Sequence, residues 1–386
     1  MDKVVKYLLG LFVAITLIDA LLLPPFDFIS LNNLLFPLAT IGILIAYKQD
    51  KLFWISASLI GLIVISSLLS NYVNNGITKA EFIWSIRWVK LFTIGWSTYF
   101  VFQNNRKMLS HLLFMGFIGV VVINALQLIG IPSVIDLYSS KEAATVSLTK
   151  SLLDGRVFGS VLNPNNNGLL LSLFAVYFLT SNVRWKYLLV SISGLLILMT
   201  QSRTAFIALV LVIGVLIIIH LWKKSKRHLL LFGAGSLLVL FALIQLKFNN
   251  LSSLFDGSAF RSNSVNTRFD VANKVFEVNA ESHFLGQGKL ANIPELVGGS
   301  IDNEFMYVYL QYGFIGILAL CTIVVLFSVM SIKPIVSRGS LGMIIVMLIC
   351  GLTNLSFSNL EIGSIFILLF VASLASSSID SSESVK

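Results

Sequence analysis

The stretch Thr200-Gln201-Ser202-Arg203-Thr204-Ala205-Phe206 places a guanidinium among hydroxyls, between two long apolar runs. Ser202, Arg203 and Thr204 read as the opening of a helix, whose first amides and positive dipole end face the same point. A guanidinium, hydroxyls and a helix N-terminus together suit a phosphate or diphosphate. The bland alternative is an arginine snorkelling at a membrane interface, because an arginine at the bilayer centre costs at least about 2.5–3.5 kcal/mol.

Other polar groups fall in similar settings. "RVFGSVLNPNNNGLLLSL" sets Arg156 just before an apolar run and puts Asn163, Pro164, Asn165, Asn166, Asn167 and Gly168 in its first half. Adjacent amides cannot face lipid, so they face a cavity or other helices, with Pro164 and Gly168 expected to break the helix. They either pack a structural break or line a surface that hydrogen-bonds a sugar. In "FIWSIRWVKLF", Arg87 and Lys90 sit three residues apart on one expected helix face, flanked by Trp84 and Trp88. They form a second cationic patch, or else pair with Glu81 or Asp27 or stack on the aromatics. Asp302, Asn303 and Glu304 stand at the mouth of a later apolar run, where a carboxylate acts as a general base or merely as a solvated collar. Glu361 carries the same two readings.

These residues must be positioned by membrane-spanning helices. The chain has 386 residues, 56% hydrophobic and 12% charged, and a mean hydropathy of +0.90. Soluble domains carry about 25% charged residues, so the expected fold class is an all-α polytopic membrane protein. About twelve apolar runs suit a hydrocarbon core of about 30 Å. They lie at roughly 4–23, 30–47, 52–72, 82–102, 108–131, 158–180, 187–201, 204–222, 229–246, 303–330, 339–356 and 361–377. The first reads as a retained span, since no small-residue cleavage site precedes Pro24-Pro25.

The net charge of +9 is explained by basic residues in every second loop: Lys48 and Lys51, Arg106 and Lys107, Arg184 and Lys186, the cluster Lys223 to Arg227, then Lys333 and Arg338. This alternation puts both termini in the cytoplasm and leaves nucleic acid no role. Cys321 and Cys350 lie within apolar runs, so neither a disulfide framework nor metal-ligand spacing is expected. The expected organisation is one membrane domain over 1–386, a large extracytoplasmic loop over 247–302 forming a small subdomain, and a disordered cytoplasmic tail at 378–386. Within that loop "TRFDVANKVFEV" has Phe269, Ala272, Val275 and Phe276 at helical spacing, which predicts an amphipathic helix on the membrane face.

In combination these stretches resemble the O-antigen ligase and O-antigen polymerase superfamily of lipid-linked glycan transferases, which are GT-C-like membrane glycosyltransferases. The carriers are "SRTA" before a long apolar helix, Arg268 followed by "FDVANKVF" and then "HFLGQG" at 283–288, "DNEFMYVYLQYG" at 302–313, and "NPNNNGLLL" at 163–171. The resemblance covers about 155–330. It implies an enzyme of the bacterial cytoplasmic (inner) membrane with its active site facing outward, undecaprenyl-diphosphate-linked oligosaccharides as donor and acceptor, and neither metal nor cofactor. Membrane lipids, a chain-length regulator and a flippase are the expected partners. It also implies that Arg203 and Arg268 hold the diphosphate and that Asp302, standing where ligases carry histidine, is the base, with Glu304 as the alternative. Ser202, Thr204, Arg156, Asn163, Asn165, Asn303, Glu304, Arg87 and Lys90 complete the expected substrate-binding set. His283 fills a different motif position.

The aspartate in place of histidine favours a polymerase that joins repeat units of O-antigen, capsule or exopolysaccharide. A ligase with another acceptor is the alternative within the family. A lipid-linked sugar transporter or flippase is the alternative outside it. Against the transporter, the halves show no obvious symmetry and the polar groups cluster at one face rather than at the midplane.

Overall fold

The structure, a computed structural model, describes residues 2–22, 31–74, 79–139, 155–181, 183–222, 263–280, 282–288, 297, 301–332, 338–355 and 359–383. Among the described residues the regular elements are all helices. In chain order they are α1 (Asp2–Leu21), α2 (Leu31–Ala46), α3 (Lys51–Asn74), α4 (Lys79–Ile129), α5 (Pro132–Ser139), α6 (Pro164–Thr180), α7 (Lys186–Thr200), α8 (Arg203–Trp222), α9 (Asn263–Val278), α10 (Glu304–Ile332), α11 (Arg338–Gly351) and α12 (Leu360–Glu383). Lys3–Leu21, Lys51–Val73, Ser85–Ile129 and Glu304–Val325 are long and apolar enough to cross a membrane, and five shorter apolar helices accompany them. The protein is an all-helical membrane protein. Every expected span except the ninth coincides with a helix. The ninth (229–246) lies outside the described residues, as do the cluster Lys223 to Arg227, most of 247–302, and Asp27.

Local chemistry explains the breaks. Spans 4 and 5 form one continuous element, α4, that is kinked at Asn105 (φ −157°, ψ 72°). The Asn105 side chain accepts from Met108 N at 3.2 Å, so it caps the second half as an N-cap residue does. Asp50 caps α3 in the same way, accepting from Leu52 N at 2.8 Å.

Three expectations are corrected. The asparagine run does not interrupt a helix that starts at 158. Residues 155–163 are non-helical, and α6 begins at Pro164 with Asn163 accepting from Asn165 N and Asn166 N. Proline is tolerated at a first helical position because its missing N–H would have no partner there. Gly168 does not break α6 either. A Cβ there would meet Ser202 Cβ at 2.8 Å and Ala205 Cβ at 2.9 Å, so the glycine admits the close crossing of α6 and α8. At the far end, α12 stays helical to Glu383, past position 378, because extending an existing helix costs little compared with starting one.

The core sits around α6, whose residues are buried on all sides from Gly168 to Phe178. A helix apolar all round belongs in an interior. α6 packs against α7, α8, α11 and α12, while α4 packs against α1, α3 and α12. Phe117 of α4 lies 5.3 Å from Phe174 and 4.9 Å from Phe178, ring centre to ring centre. Outside the spanning bundle, α5 is tied to the end of α1. Tyr138 donates to Leu22 O at 2.5 Å, and burial pushes its hydroxyl pKa above the ordinary value, which keeps it a donor.

Phe174→Ala should destabilise the purified protein by about 3–5 kcal/mol, read as a lower thermal midpoint. Leu195→Ala, on an exposed face of α7, should leave the midpoint within about 0.5 kcal/mol of the parent.

Candidate functional site

Three helix starts meet at one end of the bundle. At the first, the α7–α8 turn passes through Gln201, which has φ 54°. Ser202 follows, 2% exposed, and its backbone oxygen accepts from Phe206 N at 3.1 Å. Arg203 stands exposed as the first residue of α8, as the sequence predicts. Arg156 crosses this turn. It donates from Nε to Thr200 O at 3.1 Å and from a terminal nitrogen to Asn165 Oδ1 at 3.1 Å. This joins the start of α6 to the start of α8.

The segment before α6 is itself clamped. Gly159 N donates to Gln127 Oε1 at 2.9 Å, and Gln127 Nε2 donates back to Gly159 O at 3.1 Å. Asn167, fully buried, donates to Asn124 Oδ1 at 2.6 Å. Leu162, immediately before the Asn163 cap, has φ 57°. The asparagines therefore divide. Asn163 caps, Asn167 braces α6 against α4, and Asn165 meets Arg156 at the exposed rim.

The third start is α10. Asn303 Oδ1 accepts from Met306 N at 3.1 Å, and Asn303 Nδ2 donates to Leu352 O at 3.1 Å. The next residue, Thr353, donates to Thr204 Oγ1 at 3.0 Å. The turn after α11 thus bridges α8 to α10. Asp302 is exposed at this mouth, whereas Glu304 is 0% exposed.

The two cations of α4 part company. Arg87 lies over the Trp88 ring at 5.6 Å and, with Glu304, sits within electrostatic reach of the Tyr307 hydroxyl. Lys90 donates to Asn33 Oδ1 at 2.8 Å, and Asp19 and Glu361 act on it. The expected single patch is corrected to one cation facing α10 and one facing α1, α2 and α12, because side chains three apart still diverge on a helix. The side chains of Glu81, Trp84 and Arg268 lie outside the described residues.

Below the mouth, α10 breaks at Gly313 (φ 60°, ψ −155°). The break is filled by residues 283–288. Gln287 N donates to Leu310 O at 2.7 Å, and Gly288 N to Gln311 O at 3.0 Å. In return Phe314 N donates to His283 O at 2.8 Å, and Ile315 N to Phe284 O at 3.3 Å. Ser70 of α3 donates to Gly286 O at 3.0 Å and Gln311 O at 3.2 Å. A Cβ on Gly286 would meet Gly313 N at 2.5 Å, and one on Gly288 would meet Asn71 Oδ1. His283 itself shares a 2.6 Å hydrogen bond with Tyr309. α9 packs beside this loop through Val271 and Val275, leaving Phe269 and Phe276 exposed at 68% and 49%. The expected helix is present, with Val271 and Val275 packed toward α10 and two phenylalanines left on its outer side.

Arg156, Asn163, Asn165, Ser202, Arg203, Thr204, Asp302, Asn303 and Glu304 are brought to one end of the bundle, and Lys90 is turned away. Asn124, Gln127, Ser70 and Thr353 were not singled out from sequence. For Asn124 and Gln127 the signal was an amide inside an apolar run, whereas Ser70 and Thr353 stand in polar pairs where such a run ends. Positive helix ends from α6, α8 and α10, with Arg203 and Arg156 among them, favour an anion here, and Asp302 adds an accessible proton acceptor. Among the described residues no group of His, Cys, Asp and Glu is arranged to hold a metal.

Residues 187–321 match the family described as O-Antigen ligase. The matched segment is about a third of the chain and contains Ser202 to Ala205, Arg268, the 283–288 loop and Asp302 to Gly313. It supports the resemblance to the O-antigen ligase and polymerase superfamily of membrane glycosyltransferase-like enzymes. No curated protein matches the chain.

Gly313→Val should expel the 283–288 loop, seen as new protease cleavage there and a lower thermal midpoint. Ser70→Ala removes only the hydroxyl that bridges loop and helix and should cost about 1 kcal/mol without new cleavage.

Proposed function

We propose that this protein is a polymerase that joins undecaprenyl-diphosphate-linked oligosaccharide repeat units into a surface polysaccharide, at the outer face of the bacterial cytoplasmic membrane. The observation that carries the reading is the meeting of three helix N-termini, Arg203 and exposed Asp302 within one bridged cluster. Its motifs lie largely inside the family-matched segment.

The reaction asks little of the protein. A sugar hydroxyl of the acceptor unit attacks the anomeric carbon of the donor glycan. The new glycosidic bond forms as the bond from that carbon to the diphosphate oxygen breaks. The hydroxyl proton passes to the Asp302 carboxylate, and the lipid diphosphate departs with the electron pair. Arg203 and Arg268, with the first amides of α8, offset the charge that develops on the leaving oxygens. Asp302 suits the base role better than Glu304, because a fully covered carboxylate cannot touch an acceptor. Glu304 instead lies buried at the first residue of α10, within electrostatic reach of Tyr307. Arg156, Asn165, Thr204 and Asn303 supply polar groups at the rim for sugar or diphosphate, and Asn163 and Ser202 act by holding the two helix starts in place.

A hydrocarbon path supports a lipid-linked substrate. A groove of about 320 Å³ runs between α3 and α10, lined by residues such as Leu62, Ile65, Leu69, Leu285, Ile315 and Leu318. Its upper end, at Leu69 and Leu285, adjoins the loop clamped by Ser70.

Purified protein in liposomes with a cognate lipid-linked repeat unit should yield a ladder of multiples on a glycan gel. Arg203→Ala and Asp302→Asn should fold normally and lose at least about 100-fold in rate. Glu304→Gln should instead lower the thermal midpoint. Transfer of a single unit to an added acceptor lipid would place the protein among ligases, and sugar crossing the bilayer without covalent change would make it a transporter.

A further inference from the structure

A polar cavity lies at the opposite end of the bundle from the glycan cluster. It holds about 200 Å³, far more than the roughly 10–15 Å³ that a single water requires. Arg106, Ser110, Tyr177, Thr180, Ser181 and Ser373 supply its polar lining. α6 separates the two sites. Asn163 caps its start and Ser181 its end, roughly 25 Å apart at 1.5 Å per residue.

The cavity is built where helices terminate. α4 kinks at Asn105, so Arg106 opens its second half and the positive end of that segment points toward the cavity. Arg106 also lies over the Phe102 ring at 5.5 Å, which fixes its stem beside the opening. Ser110 of α4 and Tyr177 of α6 line the cavity from facing helices, and the Arg106 charge reaches the Tyr177 hydroxyl. Thr180 donates to Val176 O at 2.9 Å, and Ser181 donates to Phe178 O at 3.0 Å. Hydroxyl hydrogens rotate to suit a partner, so both can redirect toward a ligand. Gly339 lets α11 close against this wall, since a Cβ there would collide with Thr180 and approach Ser373 Oγ to 3.4 Å.

The chain segments that supply the lining are rich in basic residues. Positions 100–111, 176–187 and 331–350 contain no acidic residue, while Arg106, Lys107, Arg184, Lys186 and Arg338 fall within them. The first acid along α12 beyond Ser373 is Asp380, about two helical turns further on. A guanidinium in a hydroxyl-lined recess, set among basic segments, suits a small oxyanion.

We infer that this cavity binds a phosphate group, supplied either by a lipid headgroup or by free phosphate, through Arg106 and the hydroxyls of Ser110 and Ser373. The site lies apart from the glycan cluster and does not depend on the polymerase reading. Arginine suits it because its planar fork contacts two oxygens at once, which lysine cannot reproduce.

The test uses the full chain, delipidated in detergent, with thermal midpoint as readout. One arm titrates sodium phosphate against sodium chloride at equal ionic strength. The other adds phosphatidylglycerol to the micelles, against diacylglycerol. A rise in the phosphate arm identifies free phosphate as a sufficient ligand; a rise confined to the phosphatidylglycerol arm identifies a headgroup. In either case Arg106→Gln should weaken the effect at least about tenfold, with Arg106→Lys intermediate. Ser373→Val offers the same reading if Arg106→Gln does not fold. No rise in either arm, or equal protection of the Arg106 and Ser373 variants, overturns the proposal.

Discussion

A helix broken inside a membrane protein leaves carbonyl and amide groups that lipid cannot satisfy, and the architecture of the candidate site depends on how this break is closed. An unbroken α10 would pair Phe314 N with Leu310 O and Ile315 N with Gln311 O. The loop 283–288 takes those same four groups. Its amides at Gln287 and Gly288 cap the two carbonyls, and its carbonyls at His283 and Phe284 receive the two amides. Four bonds to the loop stand in for the two intrahelical ones, and they fasten the loop into a long apolar helix. The three glycines Gly286, Gly288 and Gly313 all have positive φ, and side chains on them would strike backbone or Asn71. One contact therefore explains why the loop motif and the helix motif both end in glycine.

Fastening the loop fixes what stands above it. α9 rests on the upper turns of α10 through Val271, Val275 and Tyr309, and Asn279 donates to Tyr309 O at 2.7 Å. The start of α10 is then tied through Asn303 to Leu352, and the neighbouring Thr353 to Thr204. From α4, Arg87 acts electrostatically on Tyr307 in the first turn of the same helix. Each bond is worth only about 0.5–1.5 kcal/mol, but they run in series from the loop to the α8 turn. The position of Asp302 relative to Arg203 is thus set by the same scaffold that closes the helix break.

Hydropathy made most of the helices legible, because each is an apolar run that can be read without its neighbours. The Asn104-Asn105 pair and the basic residues after it mark the α4 kink. The opening of α8 at Arg203 was equally readable, since a polar turn between two apolar runs has few structural alternatives. What escaped was pairing across distance. Nothing local tells that Gly286 meets Gly313, that Lys90 turns from Arg87 toward Asn33, or that Gln127 holds Gly159. The asparagine run was misjudged for a related reason. Pro164 looks like a breaker within an apolar stretch, but after an asparagine cap it is a start signal, and only the non-helical backbone of 155–163 reveals which role applies.

Two residues show where the scaffold is under tension. Leu162 and Gln201 adopt left-handed backbone, at φ 57° and 54°, a conformation that L side chains disfavour. Neither is replaced by glycine, and each stands immediately before the residue that starts a site helix, Asn163 for α6 and Ser202 for α8. Such strain persists only where surrounding contacts over-determine the turn. Those contacts are present: Arg156 grips Thr200 O beside Gln201, Val157 N donates to Met199 O at 3.2 Å, and Gln127 holds Gly159 ahead of Leu162. Two tight reversals let α6 and α8 begin side by side, with Gly168 against Ser202 and Arg156 joining their starts. A site that must receive an anion gains from this, because the amides and dipoles are already aimed before the ligand arrives and little reorganisation remains when charge develops.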